Sequence, residues 1–399
     1  MMTAPTSMAP ILPDLPPPTL GVLGGGQLGR MFVHAAQALG YETVVLDPDP
    51  DSPAGRVAHA QIRADYRDGA ALHELAARAQ AITTEFENVP AASLAELART
   101  CVVAPAAEAI EIAQDRIREK AHFVRCATAG GIDPAPYSAI ESEADLRQVP
   151  DALLPGILKT ARLGYDGKGQ VQAATRAELA AAWQRLQCAP CVLEQRLPLA
   201  AECSVIVARG RDGQIVSLPV QRNLHRNGIL AVTEVYEGNV SASVARQAHD
   251  ATVLIANELG YVGVLCVEFF VLAGERLIVN EMAPRPHNSG HYTVDACDLS
   301  QFDLQVRTLA GLPLVQPRQH SAAVMLNLLG DLWFDASGAA RTPPWARVLQ
   351  LPGAHLHLYG KRQARPGRKM GHLTFTASDA QTARQQALAA AQTLGIAPF

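Results

Sequence analysis

Val264-Leu265-Cys266-Val267-Glu268-Phe269-Phe270-Val271-Leu272 and Arg276-Leu277-Ile278-Val279-Asn280-Glu281-Met282 are two apolar runs joined by Ala273-Gly274-Glu275, with one carboxylate inside each. Runs rich in β-branched and aromatic residues, joined by a short glycine-bearing turn, predict a β-hairpin. With that turn at its centre, Glu268 and Glu281 face each other on neighbouring strands. Two adjacent acids among Val267, Phe269, Val279 and Met282 repel strongly unless a cation bridges them or they share one proton. Mg²⁺, which takes few carboxylates plus phosphate oxygens, fits the first arrangement and is the favoured reading. The second is that of an acid dyad.

Directly downstream lies Glu281-Met282-Ala283-Pro284-Arg285-Pro286-His287-Asn288-Ser289-Gly290-His291. Arg, His, Asn and Ser beside a carboxylate pair make an anion pocket, in which Arg285 can hold a carboxylate or phosphate with two hydrogen bonds. The plainer alternatives are a satisfied core histidine at His291 and a simple salt bridge at Arg285. Upstream, Lys159 ends the apolar stretch Gly156-Ile157-Leu158, and a buried lysine calls for an anion nearby. The loop Gly164-Tyr165-Asp166-Gly167-Lys168-Gly169 follows, with three glycines in six positions. It is no Walker A motif, because Gly169 stands where Ser or Thr is required. A loop of N–H donors above a fixed lysine is a sensible nucleotide clamp, whereas alone it reads as an ordinary hairpin.

Nearer the N-terminus, Gly24-x-Gly26-x-x-Gly29 lies between a predicted strand, Leu20–Leu23, and a predicted helix, Gln27–Leu39; Asp47 follows 18 residues after Gly29. This matches the dinucleotide fingerprint with its ribose-binding acid. The physics selects a phosphate at a helix N-terminus rather than NAD in particular, and the bland reading is a tight turn. Thr84-Glu85-Phe86-Glu87-Asn88-Val89 ends another strand, where parallel sheets bind ligands.

Alternation of strand and helix from Thr19 to Pro105 predicts a parallel sheet with both faces covered. The chain divides into a Pro-rich leader (1–18, six prolines), a Rossmann-like N-terminal domain (19–105), a middle domain (106–197), a third domain (198–317) and a small C-terminal domain (318–399). The leader has neither basic start nor apolar core, so it reads as a disordered segment rather than a signal peptide. A single helix is expected over Ala109–Thr128. With 399 residues and net charge −4, no general nucleic-acid surface is implied, and no apolar window spans a membrane. Seven scattered cysteines suit a reducing cytosol. Cys188-Ala-Pro-Cys191 lacks the second ligand pair that a zinc site needs.

Taken together, these runs resemble ATP-grasp ligases, and within them the N5-carboxyaminoimidazole ribonucleotide synthases. The resemblance is carried in order by Gly24–Arg30, Thr84–Val89, Gly164–Gln170, Asn223-Leu224-His225-Arg226-Asn227-Gly228-Ile229-Leu230, Asn280–His291 and Arg365-Pro366-Gly367-Arg368-Lys369-Met370-Gly371-His372. It implies an α/β chain of three ATP-grasp lobes, opening with a Rossmann-like pre-ATP-grasp domain and closing with a small β-rich domain. It implies ATP between the middle and third lobes, contacted by Arg116, Lys159, the loop Gly164–Gln170, Glu194-Gln195-Arg196-Leu197, Glu202, His225, Asn280 and Glu281. Glu268 and Glu281 match the Mg²⁺ ligands. Many ATP-grasp enzymes carry Glu-x-Asn, whereas Ala283 stands here, and Asn280 or water is left to complete the shell.

The reaction so implied joins ATP, bicarbonate and 5-aminoimidazole ribonucleotide through carboxyphosphate. Arg285, His287, Asn288 and Lys159 are the candidate catalytic residues. Gln27, Leu28, Glu85, Tyr165, Asp166, Lys361 and Arg368 are those for the ribonucleotide. The resemblance also suggests a cytoplasmic homodimer. Three other readings are weighed. A formate-using glycinamide ribonucleotide transformylase shares fold and strategy but not the His287–His291 and Gly367–His372 runs. A NAD-dependent dehydrogenase leaves Lys159, the glycine loop and the paired glutamates unexplained. A nucleotide-binding protein with a decayed site is at odds with the joint presence of Lys159, Glu268, Glu281 and Arg285.

Overall fold

The computed structural model describes residues 9–164 and 168–399. The N-terminal strands β1 (Thr19–Leu23), β2 (Glu42–Leu46), β3 (Ala60–Ile62), β4 (Ala81–Thr84) and β5 (Val102–Val103) form a parallel sheet in the order β3-β2-β1-β4-β5. β1 and β2 are apolar on both faces because helices cover both. Val22 and Val45 pack with Phe32 and Phe302 on one side, while Leu23, Val44 and Leu46 pack with Leu72, Leu75 and Leu94 on the other. The strand order reverses between β1 and β4, so the crevice beyond their carboxyl ends is the expected ligand position.

A four-stranded antiparallel sheet follows: β6 (Tyr137–Ile140), β7 (Gly156–Thr160), β8 (Gln170–Ala173) and β9 (Cys191–Gln195), ordered β6-β9-β7-β8. The helix expected over Ala109–Thr128 is two helices, Ala107–Ala113 and Arg116–Thr128. The break lies at Asp115, whose carboxylate accepts the N–H groups of Ile117 and Arg118 and so starts a new helix.

The third sheet holds β10 (Leu199–Arg209), β11 (Ile215–Ser217), β12 (Gln221–Arg226), β13 (Ile229–Val235), β14 (Gly263–Leu272), β15 (Leu277–Ala283), β16 (Ala322–Leu329), β17 (Ala354–Leu358) and β18 (Lys369–Ala377). Its order is β15-β14-β10-β12-β13-β16-β18-β17, with β11 beside β10. The C-terminal strands therefore continue the sheet of the preceding lobe through the β13–β16 pair. The β14–β15 hairpin has the expected register, with Glu268 opposite Glu281. A bulge lies beside this pair, since Phe269 pairs with Val279 and Asn280 becomes an extra residue. No helix of the described residues is long and apolar enough to cross a membrane.

Candidate active site

A cavity of about 520 Å³ opens where the lobes meet. Its wall includes Gln27, Leu28, Glu85 and Glu87 from the first lobe, Arg116, Gly164 and Gln170 from the middle, Glu268, Glu281, Arg285, His287, Asn288 and His291 from the third, and Lys369 from the C-terminal strands.

The glycine turn is filled by the chain's own carboxylates. Glu85 accepts the N–H groups of Gly26 and Gly29, the latter at 2.8 Å, and Asp47 accepts the N–H of Gly25 at 2.6 Å and the hydroxyl of Tyr66 at 2.6 Å. A Cβ on Gly26 would meet Glu85 Oε1 at 2.4 Å, so the glycines make room for this carboxylate. Burial raises the Glu85 pKa, against the pull of the Gly29 and Gly26 amides. The fingerprint's acid and helix N-terminus are thus occupied, and a dinucleotide does not fit there in the usual way.

In the middle lobe, Lys159 and the fully buried Lys120 share one carboxylate: Glu194 Oε2 lies 2.8 Å from Lys159 Nζ, and Oε1 lies 3.2 Å from Lys120 Nζ. Lys120 also donates to the Asn280 carbonyl at 2.7 Å. Burial opposes ionisation of Glu194, but the two lysines prevail and hold its carboxyl at about 2. Arg116 Nη1 lies 2.9 Å from Glu281 Oε2, and Arg116 Nη2 donates to the Gly164 carbonyl at 3.2 Å. Glu119, pushed up to about 8 chiefly by burial, accepts the Met282 N–H at 2.8 Å. Glu119 and Lys120 were missed in the sequence. Their signal is the Arg116, Glu119, Lys120 spacing, which places three charges on one helix face.

The paired carboxylates differ. Burial opposes charge on Glu281, but Arg116, Lys159 and Lys120 hold it well below the usual carboxylate range. Burial raises Glu268 to about 7, opposed by His225 and reinforced by Glu281 and Glu202. Glu268 Oε1 is buried without a hydrogen-bond partner among the described residues, and His287 Nε2 stands 3.5 Å away. His287 cannot supply the missing charge, because burial and then Arg285 push its pKa well below the ordinary histidine value. An unpartnered carboxylate oxygen beside a second carboxylate on a cavity wall fits a Mg²⁺ ion bound with phosphate oxygens. Asn280 Oδ1 is also buried and unpartnered, although Asn280 is not on the cavity wall.

Arg285 pairs with Glu87 at 2.5 Å rather than with either member of the carboxylate pair. Neither side-chain amide atom of the buried Asn288 has a partner among the described residues. His291 is buried, its Nδ1 accepts from Gln301 Nε2 at 3.0 Å, and it is held at about 3 by burial, as expected of a satisfied core histidine that also reaches the wall.

His225 Nδ1 meets Glu202 at 2.5 Å, outside the cavity lining, as are Lys159, Glu194, Gln195, Arg196 and Leu197. Gln195 donates to the Ala152 carbonyl, and the Arg196 N–H to that of Pro155, which fixes the stretch after β9. Lys361 donates to the Lys369 carbonyl at 2.6 Å, 5.7 Å above the Tyr359 ring. Arg368 donates to the Gln363 carbonyl and does not line the cavity; its neighbour Lys369, unrecognised in the sequence, does. Tyr165, Asp166 and Gly167 lie outside the described residues, and Lys168 and Gly169 form the turn into β8. All seven cysteines are free, Cys188 exposed and Cys191 buried at the start of β9.

Known families cover most of the chain. Residues 18–114 match the ribonucleotide synthetase preATP-grasp domain, 125–302 the ATP-grasp domain, and 323–386 the phosphoribosylaminoimidazole carboxylase C-terminal domain. The chain is 45% identical over 362 residues to the N5-carboxyaminoimidazole ribonucleotide synthase of Brucella melitensis, covering 90% of this chain and 96% of that one. Among solved structures, the N5-carboxyaminoimidazole synthetase of Staphylococcus aureus complexed with ADP matches with a TM-score of 0.85 at 36% identity, over 94% of this chain and 96% of that one. The Aspergillus clavatus synthase in complex with ADP and 5-aminoimidazole ribonucleotide matches with a TM-score of 0.85 at 29% identity, over 95% and 99%.

Proposed function

The chain belongs to the N5-carboxyaminoimidazole ribonucleotide synthase family of ATP-grasp ligases, and we propose that it carboxylates 5-aminoimidazole ribonucleotide with bicarbonate, as follows. A bicarbonate oxygen attacks the γ-phosphorus of ATP, ADP leaves, and carboxyphosphate forms. The exocyclic amine of the ribonucleotide takes up the carboxyl group, and phosphate is released. The observation that carries this reading is one cavity whose wall includes Glu268 and Asn288, each with side-chain polar atoms unpartnered among the described residues, together with Gln27, Leu28 and Glu85.

Each residue's part follows from how it is held. Arg116, fixed by Glu281 on the cavity wall, meets phosphate charge without rearranging first, and Lys159, held by Glu194 off that wall, keeps the nucleotide contact the resemblance gives it. Arg285, braced by Glu87, presents its remaining N–H groups to a carboxylate or phosphate. Asn288 can donate to one oxygen of bicarbonate or carboxyphosphate and accept from another, and neutral His287 completes the pocket. Glu268 and Glu281 would hold Mg²⁺, which would supply neutralisation of phosphate charge. Glu202, His225, Gln195, Arg196 and Leu197 are assigned to the nucleotide. Gln27, Leu28, Glu85, Lys361 and Arg368 are assigned to the ribonucleotide, with Lys369 beside them. Tyr165 and Asp166 keep the part the resemblance gives them. A homodimer in the cytoplasm belongs to the same reading, and light scattering of the purified chain checks its mass.

The deciding experiment measures ADP release with ATP, Mg²⁺ and bicarbonate, with and without 5-aminoimidazole ribonucleotide. Turnover that needs both the aminoimidazole and bicarbonate is the expected result. Turnover only with glycinamide ribonucleotide and formate would move the chain to the transformylases and overturn the proposal.

A further inference from the structure

Away from the paired glutamates, the C-terminal strands bring three histidines to one carboxylate. His355 and His357 are two apart on β17 and share a face, and His357 lies directly across from His372 on β18. Asp295, from the short helix Thr293–Ala296 that follows the cavity's His287–His291 segment, reaches this face. His357 Nε2 is 2.9 Å from Asp295 Oδ2, and His355 Nδ1 is 3.6 Å from Asp295 Oδ1. One ligand atom each of Asp295, His357 and His372 lie within 4.8 Å of one another.

A hydrogen-bonded cluster alone would account for the Asp295–His357 contact. It does not account for His372. That ring is completely buried, its Nδ1 is 3.0 Å from the Tyr359 hydroxyl, and its Nε2 has no partner among the described residues. A buried ring nitrogen without a partner is costly. The ring stacks on that of His357, at 14° and 4.5 Å between centroids, so the two imidazoles are neighbours and one of them must turn for both to point a nitrogen at one ion. Other partners are in place as outer supports of metal-ligating histidines usually are: Tyr359 holds the far nitrogen of His372, and Thr376 Oγ1 lies 2.9 Å from His355 Nε2.

We propose that Asp295, His357 and His372, with His355 at the open side, form a binding site for a Zn²⁺-class transition ion. Two or three imidazoles and one carboxylate are the donors such ions take, and they are a poor set for Mg²⁺. His355 and His357 are part-exposed, which gives the ion a way in. On binding, neutral His357 changes tautomer by way of solvent, its proton passing from Nε2 to its own Nδ1, and the freed Nε2 lone pair turns to the ion. The site would tie the segment behind the anion pocket to β17 and β18. Its effect is therefore on the stability of the lobe junction rather than on the phosphate chemistry.

The test uses the full chain, stripped with a chelator and titrated with Co²⁺ and then Zn²⁺. One equivalent of Co²⁺ should give visible ligand-field bands that Zn²⁺ abolishes, and Zn²⁺ should raise the Tm by several degrees. Asp295→Ala and His357→Ala should weaken Co²⁺ binding by about 100-fold or more and remove the Tm shift. His357→Gln, at a part-exposed position, replaces them if either fails to fold. His249→Ala, a part-exposed residue of the helix Ala242–Glu258, should change neither readout. The absence of bands in the parent, or bands and a Tm shift that persist in the His357 variants, would overturn the site.

Discussion

Glu194 neutralises two buried lysines at once, and that arrangement makes it far more sensitive than its neighbours. Glu194→Gln keeps the shape but removes the carboxylate with which both Lys120 and Lys159 pair. A buried pair broken on one side typically costs about 3–5 kcal/mol, so the urea midpoint should fall sharply. Glu281→Gln should behave in the opposite way. Arg116 retains the Gly164 carbonyl, so the fold should persist, while turnover should drop by at least about 100-fold through loss of a Mg²⁺ ligand. ATPase activity equal to the parent would remove Glu281 from the metal site.

His225 gives a residue-scale prediction in pH. Burial opposes its charge, but Glu202 prevails and its pKa rises to about 9. A histidine raised in the folded state contributes stability fully below its unfolded value near 6.5. That contribution fades as the pH climbs through about 9. The Tm gap between the parent and His225→Gln should therefore be widest near pH 6 and close by about pH 10. A gap that widens with pH would exclude the charged pair.

At the scale of elements, what the chain reveals depends on how local the cause is. The β14–β15 hairpin was legible because turn and alternation sit within twenty residues, and its one irregularity places Asn280 as the bulge next to Glu281. The glycine turn misled for a physical reason: its N–H groups do bind an anion, but the anion is Glu85, some 59 residues from Gly26 in sequence. No local pattern distinguishes an internal carboxylate from a bound phosphate. Gly26→Ala tests that account. Its Cβ would sit on Glu85 Oε1, whereas one on Gly69 meets nothing within 4 Å. Gly26→Ala should destabilise by about 1–3 kcal/mol in denaturant titrations and weaken ribonucleotide binding. Gly69→Ala, at the first position of a surface helix, should do neither.

Across the whole molecule, the cavity belongs to no single lobe. The C-terminal strands, which match a domain family of their own over residues 323–386, join the preceding lobe's sheet through the β13–β16 pairing of residues about 90 apart, which periodicity cannot report. That pairing, with Arg56 donating to the Gly360 carbonyl and Arg362 paired with Asp51, carries the β17–β18 connection over the crevice of the first sheet. Lys361 on this connection lies close enough to Glu85, on the first-lobe part of the cavity wall, to favour its charged form. Lys361 should therefore act on whatever anion the first lobe receives and hardly at all on ATP. Removing an interaction made equally in ground and transition states raises KM and spares kcat. Lys361→Ala should raise the KM for 5-aminoimidazole ribonucleotide by about tenfold or more, leave that for ATP within about twofold, and change kcat little. Steady-state kinetics with each substrate varied in turn makes the comparison. Equal rises in both KM values would place Lys361 at the closure of the lobes rather than at the ribonucleotide.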